Sequence, residues 1–154
     1  MPERSAIRGR VVAAARRILD QGLVGGTAGN VSARTNGGDT FWITPSGISF
    51  SALSESQLVE VDLSGRRRTG KLKPSSDTTT HAAIYRRRPD VGAVVHTHSP
   101  YATVFAVLRR PIPPLLVDAA GYLGGGVPVM GRSIGKSRAA LLPNHGVIAV
   151  GESI

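Results

Sequence analysis

The chain has 154 residues, enough for one domain with a substantial core and too few for two. Hydrophobic residues make up 41% and charged residues 19%, which excludes collagen-like and intrinsically disordered chains. Nineteen Lys+Arg against ten Asp+Glu give a net charge of +9, and sixteen of the cations are arginine. Such a bias suits an anionic partner, a nucleic acid or a phosphorylated metabolite, and equally a solvated surface.

From Ser5 to Gln21 the apolar residues Ile7, Val11, Ala14, Ala15 and Ile18 keep a helical period, and Gly22 supplies a stop. The spacing predicts an amphipathic helix with its arginines outside. Asn30 to Arg34 and Thr40 to Thr44 read as strands of a hairpin turning at Asn36-Gly37-Gly38. Ser54-Glu55-Ser56-Gln57 has the spacing of a capping box for one helical turn. Leu58 to Leu63 alternates as a strand and turns at Asp62-Leu63-Ser64-Gly65. A second helix is expected from Asp77 to Arg88, ended by Pro89, then a Val-rich strand from Val91 to Thr97. Ser99-Pro100 opens a third helix through Leu108. Gly121 to Gly135 is glycine-rich and carries no element signal. Ala139 to Leu142 and Val147 to Val150 are strands flanking the turn Pro143-Asn144-His145-Gly146. Helices alternating with strands and hairpins predict an α/β fold with a mixed sheet covered by helices.

Cysteine is absent, so disulfides and thiolate metal sites are excluded, and a transition-metal site must come from histidine and carboxylate. No apolar run approaches the roughly 18 residues of a spanning helix and no signal peptide is seen, so the expected location is the cytoplasm, without membrane contact. The glycosylation acceptor pattern Asn30-Val31-Ser32 is then accidental.

Four histidines occur. His96 and His98 project to the same side of a strand and can hold one ion together, although two histidines at this spacing also occur on plain exposed strand faces. His145, in a tight turn, can supply a third nitrogen, the arrangement of a catalytic divalent metal with an open position. Lys73-Pro74-Ser75-Ser76-Asp77 precedes a helix start and suits a phosphate, or else simply caps that helix. Gly25-Gly26-Thr27-Ala28-Gly29-Asn30 and Thr44-Pro45-Ser46-Gly47 are polar loops at strand ends, and neither they nor Gly124-Gly125-Gly126 have the spacing of a nucleotide-binding motif.

Taken in order, the sequences 26–32, Ile43-Thr44-Pro45-Ser46-Gly47, Lys73-Pro74-Ser75-Ser76, Val94-Val95-His96-Thr97-His98-Ser99 and Leu142-Pro143-Asn144-His145-Gly146 resemble the class II aldolase/adducin family over nearly the whole chain. The resemblance implies a three-layer αβα sandwich with a central, largely antiparallel sheet, assembled as a homotetramer with active sites between subunits. It implies a zinc ion, or Mn²⁺ or Co²⁺, on His96, His98 and His145. It places a phosphate-binding site on Thr27, Gly29, Asn30, Ser46, Gly47, Ser75 and Ser76, and the catalytic carboxylate on Asp77. Asp77-Thr78-Thr79-Thr80-His81 follows the family's ribulose-phosphate epimerases, where the aspartate is nearer to a metal ligand, and His81 is expected on a helix face. The stretch from Ile112 to Pro128 follows the fuculose-phosphate aldolases, yet Val117 stands where they have a catalytic tyrosine and Gly121 where the epimerases have an aspartate. Asp118 and Tyr122 are near but out of register.

The activity so implied is retro-aldol cleavage of a ketose phosphate, in which a divalent cation stabilises an enediolate as a Lewis acid and remote phosphate binding orients the reacting carbons. No Schiff-base lysine is needed. Epimerisation of a pentulose phosphate is the alternative, followed by sugar-phosphate dehydration. A non-catalytic assembly domain like the adducin head is disfavoured by the three retained histidines. A nucleic-acid-binding module would rest on Arg66-Arg67-Arg68 and Arg86-Arg87-Arg88, but aromatic residues are only 5%, so stacking platforms are scarce and no nucleic acid is expected. Family members continue past the third histidine with C-terminal helices and carry a helix between Pro128 and His145. Residues 1–154 are therefore expected to be a single domain lacking an internal helix near 130–138 and those C-terminal helices.

Overall fold

A computed structural model of the chain describes residues 2–35 and 38–154. Among the described residues the elements run α1 Pro2–Asp20, β1 Asn30–Arg34, β2 Thr40–Ile43, β3 Val59–Asp62, β4 Arg67–Thr69, α2 Thr78–Arg87, β5 Ala93–Thr97, α3 Pro100–Leu108, α4 Val117–Leu123, β6 Ala139–Leu142 and β7 Gly146–Gly151, with a 3-10 turn at Glu55–Gln57. The strands form one sheet in the order β4-β3-β2-β1-β5-β7-β6, and each ladder is antiparallel. Among the described residues, parallel pairing is confined to the isolated bridge between Val129 and Leu141. No described helix is long and apolar enough to cross a membrane.

The period of two along each strand divides the core into layers. Val31, Ala33 and Trp42 face α1, which buries Ile7, Val11, Ala15 and Ile18 against them. Phe41, Ile43, Val94 and Ile148 face the other way, onto Ala82, Ile84 and Tyr85 of α2. Ala139 and Leu141 pack with Ala106 of α3, on the same side of the sheet as α1. The result is the expected three-layer αβα sandwich.

Most sequence-derived elements recur within a residue or two. The strand after α2 begins at Ala93 rather than Val91: the Val91 N–H closes a turn onto the Arg88 carbonyl, and Gly92 lies so near the backbone of Glu152 that a Cβ would collide with its carbonyl. Two elements have no forecast. β4 is three exposed residues with no apolar alternation, paired onto β3 with a bulge. α4 contains Gly121 and is only seven residues long, closed by Gly124 at φ 75°. The hairpin turn at Asn36-Gly37 lies outside the described residues.

Arg34 ends β1 and caps α2. Its Nη2 donates to the carbonyls of Tyr85 (2.5 Å) and Arg88 (3.2 Å), its Nε donates to that of Val91, and its Cζ lies 4.8 Å over the Tyr85 ring. A cation on the last carbonyls of a helix satisfies acceptors that have no partner within the helix. Replacing Arg34 by Ala is expected to destabilise the fold by about 2–3 kcal/mol through these orphaned carbonyls; an unchanged urea midpoint would show that the cap is not needed.

Candidate metal centre

Antiparallel register brings five chain segments to one end of the sheet. β1 starts there at Asn30, opposite His96 near the end of β5. β2 ends there at Ile43, β6 at Leu142, and β7 starts there at Gly146. His145 sits in the three-residue turn between β6 and β7, where Asn144 takes a left-handed φ of 58° and its N–H reaches the carbonyl of Ala106.

The metal-binding histidines expected from the sequence meet at this end: nitrogen atoms of His96, His98 and His145 all lie within 4.8 Å of one another. His96 is 1% exposed, His98 half-buried and His145 exposed, so the cluster opens outwards. His96 donates from Nδ1 to the carbonyl of Val147 at 3.0 Å, leaving Nε2 as a lone pair aimed into the cluster, 3.0 Å from Nε2 of His98. Asp77 brings Oδ2 to 3.8 Å from Nε2 of His96. Gly146 makes the crowding possible, since a Cβ there would strike the carbonyl of Thr97 and stand 3.2 Å from both the His96 and His98 rings. The sequence motif contains this glycine, but its steric role has no local signal.

Burial, partly offset by the Val147 hydrogen bond and Asp77, pushes His96 down to about 4 from an ordinary 6.5. Burial and then His145 lower His98 as well. Neutral imidazole is the metal-binding form, so these shifts keep protons from competing for the nitrogens. His81 lies deepest: it points inward from α2, is 0% exposed, and burial pushes it down to about 3.

The loops expected to hold phosphate are stitched together at the same end. Pro45 and Pro74 form a bridge, Ser46 N–H donates to the Lys73 carbonyl at 2.9 Å, and Ser75 N–H donates to that of Thr44 at 3.2 Å. Thr27, Ser46, Gly47 and Ser76 are exposed. Ser75 differs, being buried with its Oγ accepting from the Asp77 N–H at 3.2 Å in the turn that leads into α2. Gly29, at φ 76°, lies against the His96 carbonyl, where a Cβ would stand at 2.8 Å. Asn30 is buried, and its Nδ2 donates to Asp77 Oδ2 at 2.7 Å, so its side chain faces the carboxylate rather than the loop.

Residues 9–154 match the family described as Class II Aldolase and Adducin N-terminal domain. The chain belongs to the class II aldolase/adducin family. It is 41% identical to a 5-methylthioribulose-1-phosphate/5-deoxyribulose-1-phosphate aldolase of Rhodospirillum rubrum, over 98% of this chain and 73% of that one. It is 36% identical to an L-fuculose phosphate aldolase of Escherichia coli, over 96% and 74% respectively. A solved L-fuculose 1-phosphate aldolase superposes with a TM-score of 0.87 at 30% identity, covering 97% of this chain and 76% of that one. As a class II aldolase/adducin domain, the chain carries Val117, Asp118 and Tyr122 on α4, all exposed, and none of them among the residues gathered around the histidines.

The two most deeply buried histidines set a pH dependence. His81 and His96 are neutral when folded and take up protons near pH 6.5 when unfolded. Stability of the metal-free chain is therefore expected to fall as pH drops from about 7 to 5, with uptake of about two protons on unfolding. Urea midpoints that stay level across this range would contradict the burial of both rings in neutral form.

Proposed function

We propose that the chain is a metal-dependent class II aldolase that cleaves a phosphorylated ketose into a three-carbon ketone phosphate and an aldehyde. The observation that carries it is the cluster of three imidazoles with Asp77 3.8 Å from His96, at the sheet end where the hydroxyl-bearing loops converge. Three nitrogens with an open side suit zinc, and Mn²⁺ or Co²⁺ also match this donor set; His96, His98 and His145 would hold the ion. When bound, it supplies Lewis-acid polarisation of the substrate's hydroxy-ketone oxygens.

The remaining work falls to side chains. Thr27, Ser46, Gly47 and Ser76 receive the phosphate, and Gly29, Asn30 and Ser75 shape the loops around it, so that binding far from the reacting carbons orients them. In cleavage the hydroxyl proton of the far fragment, which becomes the aldehyde, passes to water at the open side of the cluster. The electron pair of the broken carbon–carbon bond stays on the carbon beside the carbonyl, and that carbon takes up a proton. Asp77 would carry this proton, a reading supported by its carboxylate standing 3.8 Å from His96. Asn30 holds Oδ2 of its carboxylate and leaves Oδ1 to the substrate.

A second reading, epimerisation by the same cleavage followed by re-addition, is favoured by the run Asp77-Thr78-Thr79-Thr80-His81 and by the short reach of an aspartate beside His96. The deciding experiment assays purified, metal-analysed protein on 5-methylthioribulose 1-phosphate, fuculose 1-phosphate and ribulose 5-phosphate. Aldehyde release is expected, with about one divalent ion per chain that is lost in His96→Ala, and with kcat reduced at least about 100-fold in Asp77→Asn. Epimer formation without free aldehyde would select the second reading, and a folded protein that binds no metal would remove both.

Assembly as a homotetramer with sites between subunits is part of the same proposal. It is supported by the large apolar side chains exposed on α3 and around α4, among them Tyr101, Leu108, Leu115, Leu116, Val117 and Tyr122. α3 starts two residues after His98, so an interface there would border the histidines. Sedimentation velocity is expected to give a tetramer, and a monomer at all accessible concentrations would contradict this assembly.

A further inference from the structure

A buried seam of polar side chains runs between β1 and α2. Asn30, Ser32 and Arg34 share one face of β1 by the period of two, and Asp77, His81 and Tyr85 share one face at the start of and along α2 by the spacing of four. Asn30 bonds Asp77, and Ser32 Oγ stands 2.7 Å from both His81 Nδ1 and Tyr85 OH. Arg34 bonds the Tyr85 carbonyl. Burial pushes His81 down and Tyr85 up, so both are neutral and their hydrogens can be counted.

The Ser32 hydroxyl has one proton to share between two neighbours. If Tyr85 donates to Ser32 and Ser32 donates to His81 Nδ1, one buried group is left over, the Nε2–H of His81. If His81 donates through Ser32 to the Tyr85 oxygen, two are left over: the Tyr85 hydroxyl proton and the lone pair on His81 Nε2. Unsatisfied buried polar groups are penalised, so the first direction is preferred. It fixes His81 as the Nε2–H tautomer. On the adjacent rung the Oδ1 of Asn30 is also buried without a partner among the described residues, as is His81 Nε2. A fixed donor and an unpaired acceptor thus stand on neighbouring rungs, and the amide bearing that acceptor is the one that holds Asp77.

We propose that His81 is a positioning residue: its Nε2–H, oriented by the relay from Tyr85 through Ser32, engages Asn30 Oδ1 through one ordered water, so that Asn30 presents Nδ2 to Asp77 and turns the carboxylate toward His96. The catalytic consequence rests on the aldolase reading above; the orientation itself does not.

The test has two arms. In the metal-free protein, long-range ¹H–¹⁵N spectra are expected to show His81 as the neutral Nε2–H tautomer, turning to a mixture in Ser32→Ala. The Asp77 ¹³Cγ resonance is expected to shift in His81→Asn and to return in His81→Gln, whose amide N–H can stand in for Nε2–H. An Nδ1–H tautomer in the unsubstituted chain, or an Asp77 resonance indifferent to both His81 variants, overturns the proposal. In the metal-loaded protein, His81→Asn is expected to lower kcat about 10–100-fold while KM changes less than about twofold, and His81→Gln is expected to recover most of the loss. Equal losses in the two variants that follow only the folded fraction would make His81 merely structural. Absence of turnover in the unsubstituted protein would fell the aldolase reading, and the first arm would still decide the positioning.

Discussion

The pairing of Asn30 with His96 across β1 and β5 is the constraint from which the site follows. With that register, the face of β5 that carries His96 is the face of β1 that carries Asn30 and Ser32, and both look toward α2. A shift of one residue would turn every side chain of one strand to the opposite layer. Asn30 would then meet α1 instead of Asp77, and the carboxylate would have no anchor beside the imidazoles. The apolar residues enforce the register, because Val31 and Ala33 are needed in the α1 layer and Val94 in the α2 layer.

The same end of the molecule holds an unusual amount of buried polar material, and it is made tolerable by pairing and by neutrality. His96 has its Val147 carbonyl, His81 its Ser32 hydroxyl, and Asp77 its Asn30 amide. Burial keeps both histidines uncharged, which avoids the penalty of an unpaired buried cation. What lowers their proton affinity also leaves the His96 lone pair available to an ion, so the packing of the interior and the chemistry proposed at the surface are one arrangement.

The excess of arginine takes on a different meaning in three dimensions. Arg34 caps α2, Arg16 donates to the Leu53 carbonyl, and Arg8 lies over the Trp42 ring. Within the two triple-arginine runs, Arg67 donates to the carbonyls of Lys71 and Leu72, Arg68 pairs with Asp62, Arg86 reaches the Leu63 carbonyl, and Arg88 pairs with Asp90 while holding the carbonyls of Gly135 and Ser137. These seven of the nineteen cations are engaged with carbonyls, carboxylates or a ring, which the five donors and flat face of a guanidinium suit.

The sequence by itself determined the elements whose period repeats over several residues: α1, β1, β2, β3, α2, β5, α3 and the β6–β7 pair, together with the histidines that their ends carry. It left out β4 and α4, which are short and break the apolar pattern with arginine and glycine, so that only neighbouring segments hold them in place. It also placed His81 on a helix face and Asn30 where a polar loop meets a strand, because nothing in either neighbourhood reveals which way the side chain points. Only the tertiary structure decided that His81 is buried on Ser32, that Asn30 grips Asp77 and that Gly146 makes room for two imidazole rings. Helical and strand periods arise from contacts a few residues apart, whereas these three facts depend on register between segments dozens of residues apart, which local residue pattern does not encode.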